Sequence, residues 1–438
     1  MTAVVVSVLI MCALSMLRVN VLISVLVAAL SAALITGASM TEAMNMLIAG
    51  MGGQAETAIS VVLLGIFAVM IQYTKITNIL VRKLLSFLKG RRGFIVMTIA
   101  GISCFSQNLV PVHIAFIPIL IPPLLHLFDK MKVDRRAVAT ALTFGLKFPY
   151  IVIPAGYGLM FHQIIQTEMK NNGMTIGIGQ VALSQLIPGL SLIVGLLIAV
   201  FFTYRKEKDA PAAVGVEHDL ASAEVSATTE EVQFNRQHMI TLIAIVLAVV
   251  LQVITHSLAL GALAGVLVMF IARVVPFLKG DEIVDNSMKM MGNIAFVLLV
   301  ASGYAAILKE TGAIDQMNAV TEGFLGDSKF MTALIILTIG LVITMGIGTS
   351  FGTIPILAAV YVPLCLTAGF SPMATAALIG AASALGDAGS PASDSTLGPT
   401  MGLNADGRHD HIWGTCVPTF IHLNIPLFIA GLVAAMIL

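Results

Sequence analysis

Long apolar runs constrain the fold of this 438-residue chain more than any other feature of its sequence. A helix needs about 20 apolar residues to cross the hydrocarbon core of a bilayer, which is roughly 30 Å thick. Apolar runs recur along the whole chain, at 2–17, 19–37, 57–72, 93–128, 137–160, 186–203, 239–256, 258–278, 293–308, 330–369, 372–386 and 414–438. This pattern predicts an all-α polytopic membrane protein.

Composition agrees with this prediction and excludes several classes of protein. The chain is 58% apolar and 11% charged, whereas a soluble globular domain is about 45–50% apolar and about 25% charged. The 23 basic and 23 acidic residues balance, so no basic surface for nucleic acid is expected. The G-x-x-x-x-G-K-[ST] motif of ATP-driven pumps is absent from the sequence. We therefore expect neither an enzyme nor a nucleic-acid-binding protein.

A polar stretch divides the chain into two halves. Residues 205–238 begin with a charged run and contain few large apolar side chains, which is typical of a solvent-exposed linker. The halves on either side, 1–204 and 239–438, show the same order of apolar spans, short amphipathic pieces and interrupted runs. We interpret them as a first and a second repeat joined by a cytoplasmic linker.

The distribution of charge indicates that the two repeats are inverted relative to each other. Segment 75–92 holds six basic residues and no acidic one, whereas its counterpart 309–329 holds two basic and four acidic residues. Because Lys and Arg in short loops mark the cytoplasmic side, the two segments are predicted on opposite sides of a bacterial inner membrane. Inverted-topology repeats with broken helices are found in many secondary transporters.

Three stretches interrupt the apolar runs with Gly, Pro and polar residues, at 103–111, 346–355 and 386–399. Irregular backbone at membrane depth is tolerated only where protein buries it or where it lines a watery cavity. The third stretch combines two carboxylates with four hydroxyl groups, on Asp387, Asp394, Ser390, Ser393, Ser395 and Thr396. Such oxygens suit Na⁺ or, on an aspartate, a proton. The alternative is a polar loop at the membrane surface in which Ser and Asp cap helices.

Two further ionisable residues and one short run are ambiguous in the sequence. Lys147, the approximate counterpart of Asp387 in the first half, either replaces a bound cation or holds a carboxylate, or it snorkels to the interface. His113 either binds substrate or relays protons, or it hydrogen-bonds freed backbone. The run His409-Asp410-His411 has the look of a metal site, but no further ligand set accompanies it, and we expect a solvated loop.

Two signatures resemble those of NhaC-type sodium/proton antiporters, a family of the ion-transporter superfamily: Gly348-Thr349-Ser350-Phe351-Gly352-Thr353 and Gly386-Asp387-x-x-Ser390-Pro391-x-Ser393-Asp394-Ser395-Thr396. The run Ser106-Gln107-Asn108 is similar to the hairpin tip of the related dicarboxylate/sodium symporters. The resemblance implies an elevator-type carrier with two re-entrant hairpins and two broken helices, often a homodimer.

The resemblance also implies a cation site, whose ligands would be Ser350, Thr353, Asp387, Ser390, Ser393 and Asp394. The two hairpin tips would enclose the substrate. Its candidate contacts, drawn from the first tip, the broken segments and the two ambiguous residues, are Ser106, Asn108, His113, Lys147, Ser395 and Thr396. No cofactor is expected, and no metal other than a sodium ion.

These features predict a secondary transporter that is embedded in the lipid bilayer and driven by an ion gradient. The family resemblance favours Na⁺/H⁺ antiport. The alternative is Na⁺- or H⁺-coupled symport of a small amino acid, histidine among them, or of a carboxylate, with Lys147 facing the substrate carboxylate. A passive channel would need a continuous polar path, whereas the polar residues cluster at the breaks.

Overall fold

The computed structural model describes residues 2–17, 19–76, 79, 92–108, 117, 120–206, 234–255, 257–313, 328–391 and 393–438. Every regular element in these ranges is a helix, which confirms the all-α prediction. Most of segment 75–92, of its counterpart 309–329 and of the linker lies outside the described residues. The inverted arrangement of the two halves therefore stays a prediction.

The helices of the first half lie between residues 2 and 203. They are α1 (Thr2–Met16), α2 (Val21–Ile35), α3 (Met40–Met51), α4 (Ala55–Tyr73), α5 (Arg92–Asn108), α6 (Pro122–Lys130), α7 (Arg135–Val152), α8 (Tyr157–Asn171), α9 (Ile178–Ser184) and α10 (Leu186–Ile198). A 3₁₀ turn (Gly52–Gln54) joins α3 to α4, and a π turn (Ala199–Thr203) extends α10.

The helices of the second half lie between residues 236 and 437. They are α11 (Arg236–Thr255), α12 (Leu258–Ile271), α13 (Gly280–Ser287), α14 (Asn293–Glu310), α15 (Lys329–Ile347), α16 (Ser350–Thr367), α17 (Pro372–Ala384), α18 (Asp394–Leu403) and α19 (Ile412–Ile437). Within the described residues, six helical segments are long and apolar enough to cross a bilayer. A seventh results if α7 and α8, bent by 52° at their break, form one span.

The helices pack into two groups. The flanking group consists of α1–α4 and α11–α14; in it α14 packs against α2 and α3, and α4 packs against α12. The site group consists of α5–α10 and α15–α19; in it α5 packs along α7, and α17 contacts α15, α16 and α19. The groups meet mainly where α14 packs against α16 and α1 against α15. Each half thus gives its first four helices to the flanking group and its later helices to the site group.

Glycine and proline end the helices that surround the centre of the site group. α15 ends before Gly348, which adopts the left-handed conformation with φ 73°. α17 ends just before Gly386 (φ 81°), where a Cβ atom would lie 2.7 Å from the carbonyl oxygen of Leu341. Only glycine meets both conditions without strain. α7 contains Pro149 and stops shortly before Pro154, a residue that cannot continue the helical hydrogen bonds. The three helices therefore stop inside the bundle and present polar atoms there.

Candidate functional site

Asp387 is the buried carboxylate at the centre of the site group. It occupies a short 3₁₀ turn between α17 and α18, and 4% of its surface is exposed. Its Oδ2 accepts hydrogen bonds from the backbone N–H of Ser350 (3.2 Å) and from the Ser350 hydroxyl (2.5 Å). The ammonium group of Lys147 donates to the same oxygen. Residues from both halves of the chain therefore converge on one carboxylate.

The second oxygen of Asp387 faces two serines at the start of α18. Ser393 Oγ donates to Oδ1, and Ser395 Oγ lies 3.4 Å from it and 3.0 Å from the Asp387 carbonyl oxygen. Ser393 is also the N-cap of α18, because its Oγ accepts a hydrogen bond from the Ser395 N–H at 3.1 Å. Ser393 thus both caps α18 and hydrogen-bonds the Asp387 carboxylate, and its role as a cation ligand stays a prediction.

Lys147 forms a buried ion pair with Asp387. It lies on α7, is 4% exposed, and also donates from its Nζ to the Tyr150 hydroxyl at 3.3 Å. The side chain points into the bundle, which excludes the snorkelling interpretation. Removing one partner of a buried pair costs about 3–5 kcal/mol because the other charge is left uncompensated. The ammonium group thus compensates the charge of the Asp387 carboxylate inside the bundle.

Tyr150 is a site residue that the sequence analysis missed. Its hydroxyl lies 2.9 Å from the Ser350 hydroxyl and accepts from Lys147, so it links the two groups that hold Asp387. Its ring packs against Phe161 and Phe351, with centroids 5.1 and 5.3 Å away. The signal was present in the sequence, because residues three apart on a helix share a face and Tyr150 follows Lys147 by three positions.

Three hydroxyl groups that were predicted to bind the cation or the substrate donate to backbone carbonyl oxygens near the ends of the broken helices. Ser390 Oγ donates to the carbonyl oxygen of Met345 at 2.9 Å. Thr396 Oγ1 donates to the carbonyls of Ser390 (2.5 Å) and Ser393 (2.9 Å), and Thr353 Oγ1 donates to the carbonyl of its neighbour four residues earlier at 2.6 Å. Met345 lies in the last turn of α15, whose carbonyl oxygens lack a partner within the helix. The carbonyl oxygens of Ser390 and Ser393 also accept backbone N–H bonds from the start of α18. The three residues therefore stabilise the shape of the site in this conformation.

Four further predicted site residues are Asp394, Ser106, Asn108 and His113. Asp394 begins α18 and is exposed, and none of the described hydrogen bonds of Asp387 involves it. Ser106 and Asn108 lie on α5, and only their backbone is described, while His113 lies outside the described residues. Their proposed roles stay predictions.

Ser350 also lies in Gly348-x-Ser350-x-Gly352, which matches the G-x-S-x-G pattern of hydrolase nucleophiles. Such a serine needs a general base within hydrogen-bond reach. The Ser350 hydroxyl bonds instead to Asp387 and Tyr150, and no histidine is among its hydrogen-bond partners in the described part of the chain. The described partners of Ser350 therefore differ from the serine–histidine pair of those hydrolases.

The run His409-Asp410-His411 differs from the solvated loop that was expected. His409 is buried and its Nε2 lies 2.8 Å from Thr415 Oγ1, because the loop folds back onto α19. His411 bonds through Nε2 to the Pro391 carbonyl oxygen at 2.9 Å. Nowhere in the described ranges do three or more His, Cys, Asp or Glu residues form a group suited to a metal ion.

Comparisons with known proteins give relatives of the same length. The sequence profile of the Na⁺/H⁺ antiporter family matches residues 141–433, and a second Na⁺-H⁺ antiporter profile matches residues 2–88. An uncharacterized membrane protein of Vibrio parahaemolyticus is 44% identical over 100% of both chains. A Bacillus subtilis protein named "Putative amino acid transporter YuiF" is 42% identical, again over 100% of both chains.

Two solved structures share the fold at low sequence identity. Neisseria gonorrhoeae MtrF, described with a class of antimetabolite efflux pumps, superposes with a TM-score of 0.62 at 15% identity, covering 91% of this chain and 85% of its own. The Alcanivorax borkumensis YdaH transporter gives 0.59 at 15% identity, covering 90% and 87%. At this identity the likeness concerns the fold alone.

The helical bundle, its apolar spans and these relatives define a multi-pass membrane protein of the secondary transporter class. The chain belongs to the Na⁺/H⁺ antiporter family.

Proposed function

We propose that the protein is an ion-coupled carrier of small zwitterionic amino acids, with Lys147 and Asp387 as the receptors for the two substrate charges. The observation that carries the proposal is the buried ion pair between them. An α-amino acid bears one carboxylate and one ammonium group, which match Lys147 and Asp387 one for one. Exchanging one internal pair for two substrate pairs leaves no buried charge uncompensated.

The surroundings of the ion pair suit a small side chain. The rings of Tyr150, Tyr157 and Phe161 all lie close to that of Phe351, with centroids 5.3, 5.9 and 6.1 Å away. Aromatic faces and edges offer apolar contact and favourable geometry for another ring. An aliphatic or imidazole side chain fits this chemistry. The name of the Bacillus subtilis relative supports the same substrate class.

The coupling ion is proposed to bind on the serine side of Asp387. Oδ1 there is surrounded by the hydroxyls of Ser393 and Ser395, an oxygen set that suits a hard cation. Membership of the Na⁺/H⁺ antiporter family supports Na⁺ or H⁺ as the ion. A cation on Oδ1 would also compensate the carboxylate while Lys147 turns to the substrate.

Movement of the site group against the flanking group is the proposed route across the membrane. The helix ends after α7, α15 and α17 all belong to the site group, which meets the flanking group mainly through α14 and α1. A rigid site group that slides would carry the Asp387 site from one side to the other. We place this movement in a bacterial inner membrane, with the two halves of the chain as inverted repeats.

The second candidate is Na⁺/H⁺ antiport without an organic substrate, which the family match favours. In that case Na⁺ would displace the Lys147 ammonium from Asp387. In the first candidate an amino acid must bind when the ion pair opens, whereas in the second Na⁺ alone binds.

The test is transport by purified protein in proteoliposomes under an imposed Na⁺ or pH gradient. Radiolabelled histidine, alanine and serine are the probes, and internal Na⁺ and pH are followed in parallel. Gradient-driven accumulation of an amino acid that stops in Lys147→Met supports the proposal. Na⁺ exchange for protons at the full rate with no amino acid uptake overturns it in favour of antiport.

Lys170→Gln provides the matched control, because Lys170 is a lysine of the neighbouring helix α8 that is exposed. We expect uptake in this variant to stay within about twofold of wild type, since surface charges contribute little. An equal loss in both lysine variants would show that net charge, and not the pair with Asp387, controls uptake.

A further inference from the structure

A second buried carboxyl group, that of Glu168, lies away from the Asp387 site. Glu168 is on α8, is 1% exposed, and stands three residues before the helix ends at Asn171, or about 4.5 Å along the axis. Its Oε1 accepts a hydrogen bond from Gln54 Nε2 at 2.6 Å. Gln54 is also 1% exposed and lies in the turn before α4. This bond therefore joins the site group to the flanking group.

A second contact joins the two groups beside this one. The Lys309 ammonium group, at the end of α14, donates to the backbone carbonyl oxygen of Asn171 at 2.8 Å. The Asn171 side chain hydrogen-bonds Glu168. We call the contact of Gln54 and Lys309 with Glu168 and Asn171 the seam.

The carboxyl group of Glu168 has neutral partners in the seam. Its side-chain hydrogen bonds within the described residues are to the amides of Gln54 and Asn171. Charged side chains at the neighbouring helix ends belong to Lys170 on α8, Glu56 on α4, and Lys309 and Glu310 on α14. Lys309 is directed to a backbone carbonyl, and no ion pair joins Glu168 to any of these residues in the part of the chain that the structure describes.

Titratable groups on α7, on α16 and on α8 itself have partners or surroundings away from Glu168. On α7, Lys147 pairs with Asp387, and Arg135 pairs with Asp129 and Asp406. On α16, the Tyr361 hydroxyl donates to the Ile336 carbonyl oxygen at 2.7 Å, and Cys365 is a buried thiol. On α8 itself, His162 Nε2 lies 2.8 Å from the Ile151 carbonyl oxygen. None of these bonds brings a cation to Glu168.

An isolated carboxylate that is withdrawn from water is costly, and the group usually takes up a proton instead. The separation of 2.6 Å between Gln54 and Glu168 is typical of an O–H···O bond and short for an N–H···O bond. Gln54 Oε1 has no hydrogen-bond partner among the described residues, and an amide can present its oxygen where its nitrogen now lies. A protonated Glu168 can therefore donate to the Gln54 amide oxygen.

We propose that Glu168 is a proton-binding site of the seam, neutral while the seam is closed, and that loss of its proton to water breaks the contact with Gln54 and opens the seam. The group is separate from Asp387, so its proton exchange does not require the Lys147 ion pair to open. The inference goes beyond the proposed function and does not depend on which substrate the protein carries.

Infrared difference spectroscopy of the purified protein tests directly whether the Glu168 carboxyl group carries a proton. We expect wild type at neutral pH to show the C=O stretching band of a buried carboxylic acid and Glu168→Gln to lack it. Asp281→Asn, which removes an exposed carboxyl group at the start of α13, should keep the band. A band of wild-type intensity in Glu168→Gln would overturn the assignment. If Glu168→Gln does not fold, Gln54→Leu serves, since loss of the acceptor must shift the band; an unshifted band contradicts the proposal.

Hydrogen–deuterium exchange tests the opening of the seam. Residues 52–56 and 165–171 of wild type should exchange faster than the same segments of Glu168→Gln as the pH becomes alkaline, because the amide side chain stays neutral. Comparing the two proteins at the same pH cancels the chemical exchange rate. Equal exchange in both proteins at every pH would show that the proton does not control the seam.

Discussion

Two buried carboxyl groups, those of Asp387 and Glu168, occupy opposite electrostatic surroundings in one bundle. Asp387 bonds to an ammonium group and to serine hydroxyls, whereas Glu168 bonds only to amides within the described residues. A neighbouring positive charge favours the ionised acid, and burial without one favours the neutral acid. At Asp387, a charged ligand can therefore replace the Lys147 ammonium group. At Glu168, only a proton is gained or lost.

Asp387→Asn should have the largest effect, because it leaves the Lys147 charge buried without its partner. We expect coupled transport in proteoliposomes to fall to background. The free energy of unfolding, measured by denaturant titration in micelles, should fall by about 3–5 kcal/mol. Asp281→Asn is the control, since Asp281 is an exposed aspartate at the start of α13 in the flanking group, away from the site. Transport at the wild-type rate in Asp387→Asn would remove this carboxylate from the mechanism.

A double-mutant cycle should show that Lys147 and Asp387 act as one unit. Lys147→Met alone leaves a buried carboxylate unpaired and should cost about 3–5 kcal/mol, like Asp387→Asn. The double variant removes both charges and should lose less than the sum by roughly 2–3 kcal/mol. Chemical denaturation of the four proteins measures this difference. Strictly additive losses would mean that the pair is not coupled in the folded protein.

The sequence predicted the helices and their breaks better than it predicted which side chains bond to each other. Apolar runs locate helices, and Gly348 and Gly386 end them for local steric reasons that are visible in the sequence. The pair Lys147–Asp387 joins residues 240 positions apart, so only the packing of α7 against the second half decides it. Glu168 was missed because it stands among polar residues near a helix end, which is typical of an exposed site. Its burial depends on Gln54, 114 positions away.

Tyr150→Phe separates the contribution of the ion pair at Asp387 from that of its neutral neighbours, because it removes one neutral hydrogen-bonding group beside Lys147. The variant loses the hydroxyl that accepts from Lys147 and contacts Ser350, while the ring still packs on Phe161. We expect a loss of about 1.5–3 kcal/mol in unfolding free energy, the size of a hydrogen bond to a charged group. Thermal unfolding measures it. A loss as large as that of Asp387→Asn would mean that the tyrosine, and not the aspartate, holds Lys147 in place.

Glu168→Gln should change stability less than any of these variants at neutral pH. An amide replaces an acid that is proposed to be neutral, and it can still bond to Gln54, so the expected loss is under about 1 kcal/mol. Glu168→Leu, which removes the hydrogen bonds and leaves the amides of Gln54 and Asn171 unpaired, should cost more. A loss above about 3 kcal/mol in Glu168→Gln would indicate that the site needs a negative charge, and the contrast with Asp387 would disappear.

Substitution of Asp406 should have the smallest effect on stability of all these variants. Asp406 is an exposed carboxylate with a strong partner, and it serves as the exposed reference for the two buried carboxyl groups. Arg135 donates to it through two nitrogens, at 2.8 and 2.6 Å. The side-chain hydrogen bond from Arg135 holds the pKa of Asp406 below its usual value, although partial burial opposes this.

A carboxyl group with a depressed pKa in the folded protein stabilises the fold at pH values above its unfolded-state pKa of about 3.9. This stabilisation is lost as the pH falls through the pKa of the folded state. The buried Arg135 keeps Asp129 as a second carboxylate partner. Asp406→Asn should therefore cost at most about 1 kcal/mol at neutral pH and less in acid, where wild type and variant should converge in thermal unfolding. A difference that grows as the pH falls would contradict this assignment.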